Sequence, residues 1–567
     1  MRIALAQINP VVGDVPGNVQ RVLEAWQQSA DAGVDLVVFP EMVITGYPLE
    51  DLLLRPELVA TSQQAVDRLS SQAPSGTVAV VGYLTRDGAP VVRREWDAGT
   101  VTRDDLQNSA AVLADGQIVG VYHKGRLPRY GAFEEERWLA PGYSPLVVNV
   151  AGVPVGVTIR DDLWTEEGPV TAAARRGARL VVVLNTSPYH RGKRDKRERW
   201  VRHHAARDQV WVAYLNAFGG HDGLIFDGDS VVYGPDARVV KRAVQFGGDL
   251  LFVDLDIDPV PVPGAPELSG YEGERKPLPD RHDAPRLDPV GELWAALVLG
   301  TRDYCRKNGF EHVVVALSGG IDSSTTACVA VEALGPDNVL GVRLPSRHTS
   351  EESLRDAEQL AKNLGVELET LPIDPTHEAF EETLSDLFAG LDRDETEENI
   401  QARIRGVLLM AISNKFNRLV LATGNKSEAA VGYATLYGDM VGGFAPLIDV
   451  YKQQVYELAR HRNERDQVIP ANVFEKPPSA ELSPGQRDAD ALPPYEVLDA
   501  ILQAYLEESR DFEDIVAEGH DRDTVRRVIQ ELHWAEFKRH QAAPGVRVSQ
   551  HAFGLDLYLP VPNHWSP

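Results

Sequence analysis

The stretch Val313-Val-Val-Ala-Leu-Ser-Gly-Gly-Ile-Asp-Ser-Ser-Thr-Thr-Ala-Cys328 decides how the second half of this chain folds. A β-branched run ending at Leu317 predicts a buried strand, Ser318 to Ser323 predicts a turn, and the Ala-rich residues 325–334 predict a helix. The adjacent glycines leave room for an oxyanion, and the helix start offers unpaired N–H groups at the positive end of its dipole. The sequence therefore predicts a phosphate site built from backbone.

Side chains of the same turn add to this site. Ser318 and Ser323 carry hydroxyl donors, and Asp322 carries a carboxylate that can hold a divalent cation on phosphate oxygens. For the Gly-Gly pair alone, an ordinary turn of a doubly wound domain is an equal alternative. The complete strand, turn and helix resembles the pyrophosphatase loop of enzymes that split ATP between its α and β phosphates. It is not a Walker loop, because no Gly-Lys-Ser/Thr follows.

The composition describes a soluble globular chain with more than one domain. Its 567 residues exceed what one core usually supports, and 43% of them are hydrophobic and 25% charged. The net charge of −27 argues against a nucleic-acid binder, which needs a basic face. No apolar run approaches the ~18 residues of a membrane helix. Because Cys305 and Cys328 are the only cysteines, we expect no disulfide framework and a reducing, cytoplasmic setting.

The first half alternates short apolar strands with helical segments, which predicts an α/β layered domain over residues 1–258. Three strand ends deliver chemical groups: Glu41, Lys124 and Arg160. Because the ends of neighbouring strands can meet at one site, we expect these side chains to converge. Strands are predicted at Ile3–Ile8, Leu36–Phe39, Val78–Gly82, Ala110–Leu113, Val155–Ile159, Leu180–Leu184 and Trp211–Leu215.

Three segments of this half resemble the nitrilase and amidase superfamily, in particular its glutaminase branch fused to NAD synthetases. They are Phe39-Pro-Glu-Met42, Lys124–Glu135, and Asn185-Thr-Ser-Pro188 with Gly192-Lys193. The resemblance implies an αββα sandwich with a glutamate base, a lysine that supports the oxyanion and a cysteine that attacks the amide carbon. Glu41 and Lys124 match the base and the lysine. Positions that bind glutamine in relatives are matched by Tyr130, Ser187 and Lys193.

The cysteine position departs from the family. Relatives read roughly Ile-Cys-Glu-Asp-x-Trp where this chain has Ile159-Arg-Asp-Asp-Leu-Trp164, so Arg160 stands in the place of the nucleophile. A guanidinium stays protonated and has no free electron pair to attack a carbonyl. Both cysteines lie beyond residue 300, so thioester chemistry of this type is unavailable to the first half.

We interpret the departure as a natural loss of glutaminase activity. An engineered knockout normally uses Ala or Ser, and Asp161 and Gly223 also differ from the family pattern. Glu41, Lys124 and the three glutamine-binding matches are then vestigial. One hypothesis is that Arg160 pairs with Glu41 and fills the old pocket with a structural salt bridge.

Residues 259–289 predict a semi-extended linker, because their prolines and polar residues lack helical or strand periodicity. Beyond it, residues 290–567 alternate strands with helices, which implies right-handed crossovers and a doubly wound parallel sheet. Ligands of such sheets bind at the carboxyl ends of the strands. The predicted elements are helices at Glu292–Asn308, Glu351–Leu364 and Thr396–Asn414 and strands at Val339–Pro345, Val366–Ile373 and Arg418–Thr423.

A second chemical cluster, Thr423-Gly-Asn-Lys-Ser-Glu428, follows the last of these strands. Glu428 and Asp322 offer two oxygen ligands for Mg²⁺, and Lys426 offers a cation for phosphate or carboxylate charge. A polar loop with a surface Glu-Lys pair is the commoner explanation for such residues. The position after a buried strand favours a site.

This half resembles NAD synthetases over nearly all its length and implies their adenine nucleotide α hydrolase-like fold. The matching segments include Ser318–Ser323, Asn399–Arg403, Thr423–Glu428, Thr435–Met440, Pro446–Lys452, Lys476–Leu482 and Phe537-Lys538. The resemblance implies ATP binding by Leu317, Ser318, Gly319, Gly320, Ile321, Asp322, Ser323, Ser324 and Thr423. It implies deamido-NAD binding by Asn399, Arg403, Glu428 and Lys538.

The implied reaction is ATP-dependent amidation of deamido-NAD. The nicotinate carboxylate attacks the α phosphate of ATP, pyrophosphate leaves, and ammonia displaces AMP from the acyl adenylate. Asp322, Lys426, Glu428 and Asp439 are the expected catalytic residues, and Asp439 is a proton acceptor for ammonium. Mg²⁺ bound by Asp322 and Glu428 is the expected metal.

Three alternatives stay open for the source of nitrogen and the first domain. The main interpretation is a synthetase that uses free ammonia, and a partner glutaminase is a second supply. Glutamine-dependent synthesis with an unidentified nucleophile is a rival, and a non-enzymatic scaffold role for the first half is compatible with the main interpretation. Homo-oligomerisation is expected from the resemblance alone.

Overall fold

A computed structural model describes residues 1–86, 106–130, 133–278, 284–563 and 565. Contacts between Cα atoms divide the chain into two compact units. The first contains Met1–His221 and Phe226–Leu287, and the second contains Asp222–Ile225 and Asp288–Pro567. None of the described helices is long and apolar enough to cross a membrane.

The described residues of the first unit form two large sheets, two small two-stranded sheets and five α-helices. Its strands are β1 (Arg2–Gln7), β2 (Leu36–Val38), β3 (Val78–Arg86), β4 (Leu106–Ala114), β5 (Gln117–His123), β6 (Arg129–Tyr130), β7 (Phe133–Glu134), β8 (Leu146–Val150), β9 (Val153–Ile159), β10 (Leu180–Asn185), β11 (Trp211–Asn216), β12 (Phe218–His221), β13 (Leu224–Asp227), β14 (Val231–Tyr233), β15 (Val239–Arg242), β16 (Asp249–Asp254) and β17 (Glu267–Leu268). Its helices are α1 (Val15–Asp31), α2 (Pro56–Ser71), α3 (Glu135–Trp138), α4 (Pro169–Arg175) and α5 (Lys193–Asp208).

These elements form the predicted αββα sandwich. One sheet has the strand order β16-β1-β2-β3-β4-β5, and the other has the order β15-β14-β11-β10-β9-β8-β17. Alternate apolar residues of both sheets, such as Leu5 and Val157, share one buried core. The outward faces are covered by α1 and α2 on the first sheet and by α4 and α5 on the second. The fold class of the first half is thus confirmed.

The described part of the expected linker packs on the first unit. β17 pairs in parallel with β8, and the amide N–H of Val262 donates to Asn149 Oδ1 at 2.9 Å. Prolines disfavour a helix in this segment. An extended chain can instead add to the edge of a neighbouring sheet.

The second unit has a small parallel sheet and many helices. Its strands are β18 (Val313–Ala316), β19 (Val339–Arg343), β20 (Glu367–Thr370) and β21 (Leu419–Leu421). Its helices are α6 (Pro289–Lys307), α7 (Ile321–Leu334), α8 (Glu351–Leu364), α9 (Asp374–Leu384), α10 (Glu395–Phe416), α11 (Lys426–Val431), α12 (Lys452–Asn463), α13 (Asn472–Glu475), α14 (Tyr495–Leu506), α15 (Phe512–Ala517), α16 (Arg522–Trp534) and α17 (Glu536–Arg539).

The sheet order β20-β19-β18-β21 confirms the doubly wound fold. All three strand pairs are parallel, and the chain moves outward from β18 in one direction before it returns to place β21 on the other side. The strand order therefore reverses beside β18. Ligand sites of such sheets lie at this reversal, where the residues after Ala316 and Leu421 come together.

Candidate active sites

The turn after β18 has the geometry expected of a phosphate loop. Gly319 has a φ of 79°, and a Cβ there would lie 2.3 Å from the carbonyl oxygen of Ser353, so only glycine fits. Gly320 caps α7, whose first turn carries Asp322. Ser323 and Ser324 donate their hydroxyls to the Gly320 carbonyl at 3.1 and 2.7 Å, which fixes the loop.

A cavity of about 230 Å³ opens in front of this loop, and an adjoining cavity of about 240 Å³ shares its lining at Ser318, Thr423 and Asp439. The predicted ATP residues divide between the two cavities and the loop behind them. Gly320, Ile321, Asp322 and Ser323 line the first cavity, and Leu317 lines the second. Ser324 is buried behind the loop.

Asp322 and Glu428 meet at the first cavity through a lysine that the sequence argument did not single out. Lys452 Nζ lies 2.5 Å from Asp322 Oδ2 and 3.1 Å from Glu428 Oε1. Asn425 caps α11 and also donates to Asp322 Oδ1 at 2.9 Å. Burial raises the pKa of Glu428 to about 7, although Lys452 opposes the shift. Lys452 ends the segment Pro446–Lys452 that resembles NAD synthetases, and this resemblance could have pointed to it.

Lys426 does not reach the cavity, which contradicts its expected role as a phosphate or carboxylate ligand. Its buried ammonium lies 2.8 Å from Asp449 and 2.7 Å from Glu507, and it donates to the His551 carbonyl at 2.9 Å. Lys426 and Glu428 are two positions apart on a helix of 3.6 residues per turn, so their side chains leave on opposite sides. Lys426 thus holds the C-terminal tail.

The other predicted residues surround the turn over residues 432–439. Lys538 Nζ donates to the carbonyls of Gly432 and Ala434, both at 2.7 Å, and Asp439 accepts from the Thr435 amide at 2.7 Å. Burial raises the pKa of Asp439. Asp439 and Lys538 line the first cavity.

Two residues of α10 reach this turn from the other side. Asn399 Oδ1 accepts from the Thr435 hydroxyl at 2.7 Å, and Arg403 Nε donates to the Leu436 carbonyl at 3.2 Å. On the same helix, Arg405 lines the second cavity, and burial lowers its pKa to about 10. Arg405 was not predicted from the sequence, although it lies two residues beyond the Asn399–Arg403 segment.

In the first unit, the expected convergence of strand ends occurs around Lys124. Its buried ammonium lies 2.8 Å from Glu41, 2.9 Å from Glu135 and 3.0 Å from Asp161. Burial opposes the charge of Lys124, but the three carboxylates raise its pKa above the ordinary value. Glu41 also accepts from Asn108 Nδ2 at 2.8 Å and from the Thr186 amide at 3.1 Å. Glu135 and Asp161 were missed as members of this cluster.

Arg160 lies beside the same cluster. It follows β9 with a φ of 38° and is 1% exposed. Its guanidinium donates to Tyr47 Oη at 2.6 Å and lies 3.4 Å from Asp161 and 4.0 Å from Glu135. The carboxylates recorded beside Arg160 are therefore Asp161 and Glu135, whereas we expected Glu41, which is held by Lys124.

The glutamine-binding matches lie on the segment after β10 and on β6. Ser187 is buried and its amide donates to Asn216 Oδ1 at 2.8 Å, and Lys193 Nζ donates to the Pro188 carbonyl at 2.7 Å. The side chain of Tyr130 lies outside the described residues.

Comparisons with known proteins agree with this division. Residues 2–260 match the carbon-nitrogen hydrolase family and residues 293–542 match the NAD synthase family. The chain is 44% identical to the glutamine-dependent NAD(+) synthetase of Thermotoga maritima, with 100% of this chain and 99% of that protein aligned. It is 46% identical to the Xylella fastidiosa protein of the same name, over 99% of this chain and 98% of the relative.

A solved structure extends the comparison. The glutamine-dependent NAD+ synthetase of Acinetobacter baumannii in complex with ADP superposes with a TM-score of 0.76, at 39% identity, over 100% of this chain and 99% of that one. Because full-length relatives share more than 40% of their residues with it, the chain belongs to the glutamine-dependent NAD(+) synthetase family and is an NAD synthetase.

Proposed function

We propose that this enzyme forms NAD from deamido-NAD, ATP and free ammonia, and that its first unit does not hydrolyse glutamine. The proposal rests on Arg160, whose side chain is buried and whose position corresponds, by the sequence resemblance, to the nucleophilic cysteine of the family. A side chain that is always protonated cannot form a thioester. The surrounding carboxylates and Tyr47 hold it in place rather than activate it.

Neither cysteine of the chain can substitute for the missing nucleophile. Cys305 and Cys328 are buried on α6 and α7 of the second unit. Burial raises the pKa of both thiols to about 12, so both stay protonated near neutral pH. The attacking species in this chemistry is the thiolate.

In the second unit, the residues favour transfer of AMP to a carboxylate. The Gly319-Gly320 loop and the first turn of α7 present N–H groups to phosphate oxygens, and Lys452 brings a positive charge to the same cavity. Asp322 and Glu428 are two carboxylates on one cavity wall, which is the usual protein contribution to Mg²⁺ that arrives with a nucleotide. When bound, Mg²⁺ would supply positive charge to the phosphate oxygens.

The same cavity contains a group suited to ammonia. The carboxylate of Asp439 lies on the wall, and burial raises its pKa, which strengthens it as a proton acceptor. Ammonium must lose a proton before it attacks the acyl adenylate. The ammonium-driven rate should therefore rise with pH.

The nitrogen source is tested by NAD formation from deamido-NAD, ATP and Mg²⁺ with either ammonium or glutamine, while glutamate release is followed in parallel. We expect turnover with ammonium and neither NAD nor glutamate with glutamine. The Thermotoga maritima relative, assayed under the same conditions, is the control for the glutamine arm. Glutamine-driven turnover with stoichiometric glutamate would overturn the proposal, and would show that another residue performs the hydrolysis.

We also propose that the enzyme is a homo-oligomer that associates through α10 and the preceding segment. Val407 and Met410 lie three residues apart on one side of α10 and are 67% and 39% exposed, and Leu387 and Leu391 in the preceding segment are 75% and 72% exposed. Exposed large apolar side chains on one surface mark protein contact surfaces. A second copy of the chain supplies a matching apolar face in a two-fold contact.

A further inference from the structure

A pocket on the first unit collects positive charge in a chain that is acidic as a whole. The pocket has a volume of about 420 Å³ and lies at the N-terminal half of α5. Its lining consists of Gly192, Asp195, Lys196, Glu198, Arg199, Arg202 and Arg286. The sequence contains 57 arginine and lysine residues and 84 aspartate and glutamate residues. Four cations around one pocket are therefore more than this composition would lead one to expect.

Among the described residues, three of these cations have no recorded ion pair. They are Lys196, Arg199 and Arg202, and all three are exposed. Other exposed arginines of the described residues do pair with a carboxylate, as Arg175 does with Glu167 at 2.8 Å. The three cations are spaced by three residues, so they lie along one side of the helix and repel one another.

The two carboxylates of the lining do not neutralise this row. Glu198 is 9% exposed and already accepts from Tyr233 at 2.8 Å, while Arg242 lies 2.9 Å and Arg286 2.6 Å from it. Asp195 is 77% exposed, and its recorded ion pair is with Arg194, at 3.9 Å. The pocket therefore keeps a net positive charge.

We propose that this pocket binds a small ligand that carries two or more phosphate groups. Six residues of helix separate Lys196 from Arg202, which is about 9 Å, and this distance is wider than one phosphate group. Guanidinium groups bind phosphate through paired N–H donors, and the open N-terminal end of α5 beside Gly192 adds partial positive charge. A volume of about 420 Å³ is within the range of small-molecule sites.

The site is tested by calorimetric titration of the full-length protein with inorganic tripolyphosphate. The test variant is Arg199→Gln/Arg202→Gln, and the control is Arg55→Gln/Arg68→Gln, which removes the same charge from exposed positions at α2. We expect wild type and control to bind tripolyphosphate at one site that the test variant lacks. If the test variant keeps this site, its affinity should be at least about tenfold weaker. Tripolyphosphate should slow amide hydrogen exchange of residues 193–207 in wild type and in the control, but not in the test variant.

Thermal unfolding and ammonium-driven turnover of both variants should equal those of wild type, since these side chains are exposed and far in sequence from the synthetase loop. Equal titrations for all three proteins would overturn the proposal. So would equal weakening in both variants, which would indicate general charge attraction. If the test variant instead breaks an assembly of copies and wild type takes up no probe, the row contacts an acidic surface of another copy and the proposal fails.

Discussion

Arg160 adds a positive charge to the carboxylate cluster around Lys124. A cysteine at this position would leave Glu41, Glu135 and Asp161 facing only one buried cation, Lys124. The guanidinium adds a second positive charge within 3.4 Å of Asp161 and 4.0 Å of Glu135. Buried charges are costly unless they are paired. With Arg160, the formal charge of the cluster is −1 rather than −2, since two cations face three carboxylates.

Asp162 lies next to the cluster around Lys124 and Arg160, and its pKa links the stability of this part of the fold to pH. Its carboxylate accepts from the amides of Ile159 and Arg126 at 2.9 Å and from Tyr122 Oη at 2.7 Å, which ties the Arg160 turn to the Lys124 segment. Burial raises its pKa from 3.8 to about 6. A carboxyl group whose folded-state pKa is raised adds stability below pH 3.8, and this contribution is lost as the pH rises through about 6.

We therefore predict that the free energy of unfolding of wild type, minus that of Asp162→Asn, falls as the pH rises from about 4 to about 7. The expected size is about 3 kcal/mol, from a shift of about two pH units. Urea unfolding at several pH values measures it. Asp236→Asn, at a position 61% exposed, is the control for removal of a carboxylate outside the cluster. Parallel pH profiles for wild type and Asp162→Asn would contradict the prediction.

The phosphate loop depends on the fit between the β18–α7 turn and α8. Gly319 packs against the Ser353 carbonyl so closely that a Cβ would lie 2.3 Å from its oxygen. Ser353 belongs to α8, so the loop is positioned by a helix that begins about thirty residues later. Gly319 is thus required by tertiary packing.

Gly319→Ala should lower the ammonium-driven rate by about a hundredfold, since it displaces the N–H groups that face the phosphate oxygens. Gly335→Ala is the matched control. It lies at the other end of α7 with a φ of 90° and has no atom within 4 Å of the added Cβ. The control tests backbone strain without a clash, and its rate should equal that of wild type. ATP binding of Gly319→Ala equal to wild type, measured by calorimetry, would count against this account.

Homo-oligomerisation is tested at the exposed face of α10. Val407→Asp/Met410→Asp places charge on the proposed contact, and we expect wild type to sediment as an oligomer and the variant as a smaller species. A charged group buried at an interface without a partner costs several kcal/mol. Val239→Asp, at an exposed apolar position of the first unit, is the control and should sediment like wild type. Identical sedimentation of the variant and wild type would exclude this face as the contact.

Much of the architecture was predictable because it depends on local signals. The predicted helix Glu351–Leu364 has the same bounds in the structure, and the helix after the phosphate loop begins at Ile321, four residues before its predicted start. The first turn of this helix is capped by Gly320, which has no side chain. The spacing of apolar residues therefore did not indicate the extra turn. The seven strands predicted in the first half all occur, with bounds that differ by up to four residues.

The sequence alone determined which residues end which strands, and hence that Glu41, Lys124 and Arg160 would share a pocket. It also determined that Arg160 cannot be a nucleophile, since a guanidinium in a protein stays protonated near neutral pH. Only the tertiary structure decided the partners of the charges. Lys452 reaches Asp322 across 130 residues, and Lys426 turns away to the tail, because contacts between distant segments set side-chain direction and no local period encodes them.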